Sequence, residues 1–439
     1  MGRNQTMWEQ LGELPVRETL DSGLEIVVLP KPGLKKTYAT YATHYGSIDS
    51  HFTRPDTGEK VDVPDGIAHF LEHKMYEKPE GRDVFERFAE LGAYTNAYTE
   101  YTSTTFLFSA TSEIEACLDT LMRLVEEPHF TPENVEKEKG IIEQEIRMYL
   151  DMPGDRVRSN LMHALYQKNP VRLDIAGSVE SIRTITPDNL YVCYNTFYHP
   201  SNMVMFVAGD VETARIVDYV ANVQKARHLK PSGRIGRIFP EEPHDVAQKR
   251  IEHVMPVSAP LWLMGYKDQK VGFTGVDLLR HDMIRGMMWS LLLGPASKLY
   301  NDLYQSGLIS ERFYAHYTSA ATYGLSMLGG ETPDPAKLEA VLLERLPHEP
   351  FKREDLERLQ KKEIGEFVSL FENLEDLAYA FNAFHFRGID LALIPELLHQ
   401  ITVDDLEKAR QEHLKESTRA VSVILPPREG GAAHAAHSH

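Results

Sequence analysis

Three side chains within five positions could hold and use a metal ion: His69, Glu72 and His73, in the run His69-Phe70-Leu71-Glu72-His73. On a helix, residues four apart point the same way. Two imidazoles so placed can share one zinc at about 2.0–2.1 Å from each nitrogen. A glutamate between them stands where it can take a proton from water beside the metal. The competing reading is an amphipathic helix with two surface histidines, drawn from the 19 in the chain.

A helical wheel over 66–75 separates two faces. Ile67, Phe70, Leu71 and Met75 form an apolar stripe, and His69, Glu72 and His73 lie opposite it. The order His-x-x-Glu-His is among the zinc-peptidase signatures. Such a site needs a third protein ligand. A long helix expected over 131–151, opened by Thr131-Pro132-Glu133-Asn134, offers candidates. Ile142, Ile146 and Tyr149 mark its apolar stripe; Glu138 and Glu145 fall on that stripe, and Glu143 falls away from it. A carboxylate among core positions is costly unless it is paired or metal-bound. This favours Glu145 and Glu138 over Glu143, with an interhelical salt bridge as the alternative role.

These helices need a scaffold, and 439 residues are enough for about two to four domains. The composition, 42% hydrophobic and 26% charged, is that of a soluble globular protein. A net charge of -18 argues against nucleic acid as a partner. Two cysteines, Cys117 and Cys193, supply neither a disulfide framework nor a thiolate metal site. No window approaches the roughly 20 apolar residues of a membrane span, and Met1–Pro15 shows no secretory signal. The expectation is a cytoplasmic protein with no membrane span.

Along the chain, Asp21-Ser22-Gly23 divides 17–30 into a hairpin, and a strand follows at 37–45. Helices are expected at 66–77, 83–91 and 112–126, and strands at 93–110 and 203–209. The second half echoes the first. Ile185-Thr186-Pro187-Asp188-Asn189-Leu190 reappears as Ile401-Thr402-Val403-Asp404-Asp405-Leu406, and Tyr101-Thr102-Ser103 as Tyr317-Thr318-Ser319, about 216 residues on. The expected fold is α+β: two homologous α/β-sandwich domains in tandem, each a mostly antiparallel sheet with helices on one face. The first, metal-binding domain spans 1–225. A Pro-, Gly- and charge-rich linker spans 226–248, the second domain 249–428, and a Gly/Ala/His-rich tail expected to be disordered 429–439.

At this point the sequence resembles the pitrilysin/insulinase family of zinc metallopeptidases. The likeness rests on His69–His73, on Glu138-Lys139-Gly140-Ile141-Ile142-Glu143-Gln144-Glu145-Ile146, on Asn96-Ala97-Tyr98-Thr99 and on Phe197-Tyr198-His199-Pro200-Ser201-Asn202-Met203. It is nearest to the half-length bacterial members, themselves similar to mitochondrial processing peptidase subunits. The resemblance implies one zinc per chain on His69, His73 and Glu145, and Glu72 as general base on a metal-activated water. It further implies that Glu138 orients His73, and that Asn96, Ala97 and Tyr98 lie on an edge strand that receives an extended peptide.

Two departures matter. The equivalent helix of the second half, expected near 284–293, holds no histidine or glutamate, so one active site per chain is expected. Family members also carry an Arg and a Tyr, seven apart, in the half facing the zinc. The corresponding stretch here, Leu303-Tyr304-Gln305-Ser306-Gly307-Leu308-Ile309-Ser310, has neither in place. The implied partner is a paralogous subunit that brings this pair in a heterodimer, or else a second copy in a homodimer. The expected activity is endopeptidase cleavage of unfolded peptides. The alternative is a catalytically silent or assembly subunit of a peptidase heterodimer.

Overall fold

The computed structural model describes residue 8 and residues 11–79, 84–227 and 229–427. The tail 429–439 lies outside the described residues. In chain order the strands are β1 (Val16–Thr19), β2 (Glu25–Pro30), β3 (Thr37–Thr43), β4 (His51–Thr53), β5 (Lys60–Asp62), β6 (Tyr94–Thr99), β7 (Thr104–Ala110), β8 (Met203–Gly209), β9 (Gly236–Arg237), β10 (Arg250–Val254), β11 (Leu261–Lys267), β12 (Tyr314–Ala320), β13 (Tyr323–Glu331) and β14 (Arg419–Leu425). The helices that bear on the site are α1 (Ile67–Met75), α2 (Pro132–Asp151), α3 (Pro153–Leu165), α4 (Pro187–Phe197), α5 (Gly275–Leu293), α6 (Leu374–His385) and α7 (Val403–His413).

The single strand expected over 93–110 is a hairpin. Thr99 pairs with Thr104, and the Glu100 N–H donates to the Ser103 carbonyl at 2.8 Å to close the turn. Polar residues at 100–103 continue the alternation of the flanking strands, which hides the break.

The first sheet runs β1-β2-β8-β3-β7-β6 and the second β10-β14-β11-β13-β12. Leaving out β1, the two orders correspond strand for strand. Each contains one parallel pair, β2 with β8 and β10 with β14, among antiparallel ones. Register makes the correspondence finer. Thr43 pairs with Met203 and Thr104, and Tyr266 pairs with Arg419 and Ser326. Thr99, opposite Thr104, therefore corresponds to Tyr317, opposite Ser326.

Each half packs its own helices on one face of its sheet. The other face is covered by a helix from the other half. Val157, Leu161 and Leu165 of α3 pack against Leu263, Leu325 and Ile424 of the second sheet. Leu377, Ala378 and Phe381 of α6 pack against Val27, Ala42 and Phe206 of the first. Coverage on both faces explains why β3 and β8 are buried along their whole length. The expected linker is ordered where it crosses between the halves. The Glu242 carboxylate accepts the backbone N–H groups of Gln167, Lys168 and Asn169 at 2.8–2.9 Å, and the buried Lys267 ammonium at 2.9 Å.

Candidate metal centre

A glycine sets where α1 starts. Gly66 has φ of +87°, and a Cβ there would lie 2.3 Å from the Ala176 carbonyl oxygen. No side chain fits such a position. Gly66→Ala is expected to lower stability by about 2 kcal/mol or more, seen as a lower Tm, and to weaken zinc uptake because α1 must shift.

From that start α1 buries Phe70, Leu71 and Met75 completely. Its other face presents His69 and His73 to α2 and Glu72 to β6. The capping box of Thr131 and Asn134, with Pro132 in the first turn, fixes the start of α2. Ile142 and Ile146 hold α2 against the core. Tyr149, expected on that apolar stripe, is 37% exposed and lines the cavity before the site instead.

The structure brings His69, His73 and Glu145 together, their donor atoms all within 4.8 Å of one another. His69 Nε2 is 3.9 Å from Glu145 Oε1, and His73 Nε2 is 3.6 Å from Glu145 Oε2. A tetrahedral zinc would need donors separated by about 3.4 Å, so the set fits with small movements. Among the described residues no second such group occurs. Glu143 faces away and binds Arg147 and Arg183.

The neighbouring groups fix protonation and orientation. Glu138 Oε1 lies 3.1 Å from His73 Nδ1, which leaves Nε2 to face the donor cluster. The fully buried Lys74 steadies Glu138, its Nζ 3.7 Å from Oε2. His69 Nδ1 is shielded from solvent with no hydrogen-bond partner among the described residues. Burial, then His73, pushes His69 down to about 3, so it is neutral at pH 7. Burial alone would lower His73 too, but its bond to Glu138 and the surrounding carboxylates outweigh that and raise it. Two neutralisable imidazoles with one carboxylate make a borderline-soft donor set suited to zinc.

Glu72 is 8% exposed, and burial raises its pKa. Thr99 Oγ1 donates to Glu72 Oε2 at 2.6 Å. Sequence reasoning missed this contact, because it joins a helix to a strand with nothing local to signal it. Ala97, Tyr98 and Thr99 line a cavity of about 430 Å³ together with His69, Glu72, His73 and Glu145. Asn96 is exposed on β6 and does not line it. β6 is an edge of the first sheet.

Among the described residues the second half holds no matching group of three metal donors. Its helix α5 begins earlier than the expected 284–293 and holds His281, Asp282 and Arg285. Around Tyr317, the counterpart of Thr99, lies a buried cluster. Asp268 is 2.6 Å from Arg285 Nε, 2.9 Å from His281 Nε2 and 2.8 Å from the Tyr317 hydroxyl.

Two family profiles match the chain. The insulinase (peptidase family M16) profile matches residues 56–179, and the peptidase M16 inactive-domain profile matches residues 184–363. The uncharacterized zinc protease YmfH of Bacillus subtilis is 40% identical, over 95% of this chain and 98% of its own. An M16-like peptidase from Alicyclobacillus acidocaldarius superposes with a TM-score of 0.91 at 39% identity, over 94% of this chain and 99% of its own. The chain belongs to the insulinase (M16) peptidase family. A more distant relative, 23% identical over 62% of this chain and 53% of its own, is named as a probable mitochondrial-processing peptidase subunit beta of Arabidopsis thaliana. Among the described residues no helix is long and apolar enough to cross a membrane.

Proposed function

We propose that this chain is a zinc-dependent endopeptidase for unfolded peptides, with one zinc held by His69, His73 and Glu145. The observation that carries the reading is the convergence of those three donors beside a buried Glu72 at the wall of one cavity. Zinc, when bound, polarises a scissile carbonyl and acidifies water. Glu72 takes the proton of the attacking water on its carboxylate and returns it to the leaving amine nitrogen. Thr99 aims that carboxylate. Glu138 holds His73 in the tautomer whose Nε2 is free. The free edge of β6, with Asn96, Ala97 and Tyr98, offers backbone groups to an extended peptide added as a strand.

A second subunit completes the site in this reading. The stretch 303–310 supplies no cation, since it holds neither Arg nor Lys, and its Leu303, Leu308 and Ile309 are buried. A paralogue carrying the Arg/Tyr pair is the expected partner, and a homodimer is the alternative. Both put a second half-length chain opposite the zinc.

The test is hydrolysis of a quenched unstructured peptide by the purified chain, alone and with its co-purifying partner, before and after chelation. Chelation is expected to abolish turnover, and stoichiometric zinc to restore it. Bound zinc without turnover, partner present, would instead make the chain a silent subunit.

A further inference from the structure

The cavity at the metal centre has a charged far end that the chemistry above does not use. Arg158 on α3 and Arg172, seven residues beyond its end, line the same cavity as His69, Glu72 and Glu145. Among the described residues neither arginine forms an ion pair with a carboxylate, although Asp155 and Asp174 line the cavity too, and Arg158 meets only the Tyr101 hydroxyl. Arg237 and Arg285, by contrast, each meet a carboxylate: Arg237 meets Asp49 at 3.0 Å, and Arg285 meets Asp268 at 2.6 Å.

The two aspartates have other work. Asp155 is in the first turn of α3, where a helix N-terminus favours negative charge. Asp174 Oδ1 accepts the Ala176 N–H at 3.3 Å. Both are exposed, so water serves their remaining lone pairs. The arginines differ. Arg172 is half-buried, and its Nε is shut off from solvent with no hydrogen-bond partner. Arg158 is exposed; its guanidinium meets the Tyr101 hydroxyl, and its charge also acts on Tyr314 and His316. A shielded guanidinium nitrogen without an acceptor is costly, and a carboxylate meets a guanidinium with two parallel hydrogen bonds.

We infer that Arg158 and Arg172 form a subsite for a carboxylate of the bound peptide, making the enzyme selective for acidic substrates at that position. The inference rests on the cavity being where peptides bind, as proposed above. A peptide laid along β6 sends alternate side chains to one face, and Ala97, Tyr98 and Thr99 of β6 line the same cavity as the two arginines. The carboxylate could be an Asp or Glu side chain or the peptide's own C-terminus.

Binding decides this without any need for turnover. Zinc-loaded full-length protein is titrated with fluorescent peptides matched except for one internal Glu, Gln or Lys, each with a free or an amidated C-terminus. The Glu peptide is expected to bind about tenfold or more tightly than its Gln twin, and the advantage should shrink with added salt. If the C-terminus is the group read, amidation should cost that factor and the Glu-to-Gln change should not. Either advantage should be lost in R158Q/R172Q and reduced in R158Q alone, a milder change at an exposed position, with zinc content and Tm as controls. Equal binding of all peptides, tighter binding of the Lys peptide, an advantage that survives in the double variant, or no binding at all would each overturn the inference. A chain that prefers the acidic peptide but never cleaves it would refute the peptidase reading and leave the subsite standing.

Discussion

Glu72→Gln is expected to keep zinc at about one per chain and to lower peptide hydrolysis about a thousandfold, within the usual span for removing a general base. The argument is geometric. Glutamine has the volume of glutamate, and its carbonyl oxygen can still accept the Thr99 hydroxyl, now 2.6 Å from Glu72 Oε2. The donor cluster of His69, His73 and Glu145 does not include Glu72. What the amide cannot do is bind a proton from water and release it to an amine. Because burial works against the charged form of Glu72, the neutral variant should also unfold at an equal or higher temperature. Metal analysis, a quenched-peptide assay and a thermal scan check the three parts. Loss of zinc would move Glu72 into the ligand set. Unchanged turnover with zinc present would place the base elsewhere. Glu145→Gln should behave in the opposite way, losing zinc first.

How much of this was legible in the sequence depended on distance along the chain. His69, Glu72 and His73 lie within about one helical turn, so helix geometry alone put them on one face. Glu138 and Glu145 could be narrowed to one stripe of α2. Helix geometry alone could not show that one turns to His73 Nδ1 and the other to the Nε2 atoms, since that depends on how two helices cross; only the family resemblance separated their roles. Thr99 was hidden for the same reason. The apolar strands and the repeated capping motif at Thr186 and Thr402 carried the duplication of the α/β unit, but not the order of strands in each sheet. The exchange of α3 and α6 between halves left no local trace, because the sheet each covers lies in the other half. The second-half helix was placed too late in the chain because the interval between corresponding residues is not constant. It is longer between Thr43 and Tyr266 than between Ile67 and Gly275, the first residues of α1 and α5, because the stretch that carries β4 and β5 has no counterpart of equal length before α5, and hydrophobic patterns do not record such a difference.

That misplaced helix leads to the second large effect, at Asp268. Asp268→Ala is expected to destabilise the protein by about 3–5 kcal/mol, the usual cost of leaving a buried charge unpaired. For a domain of this size that corresponds to a Tm lower by about 10 °C. Arg285 is 3% exposed, and its other acidic neighbour, Glu412, is at 4.0 Å. Removing Asp268 leaves the guanidinium without its 2.6 Å partner, and His281 and Tyr317 without an acceptor. Adding Arg285→Met to Asp268→Ala should recover part of the loss, since both halves of the ion pair are then gone. Acid should act in the same direction. Burial pushes His413 down to about 3. Burial alone would raise Asp268, but its bond to His281 and the charges nearby hold it well below the usual carboxylate range. Both groups therefore bind protons more readily when unfolded. The contribution of His413 is complete above about pH 6.5 and is lost as pH falls toward 3, whereas that of Asp268 starts to go only below about pH 4 and is lost further into acid. Asp49, which burial raises to about 6, works the other way over part of that interval. The cluster stands where the first half brings Thr99 to Glu72, yet it shares no residue with the zinc donors. Folded Asp268→Ala protein should thus keep its zinc. A Tm within about 2 °C of the parent would show that Arg285 reaches Glu412 or water, and that the ionic cluster is not what holds the second half together.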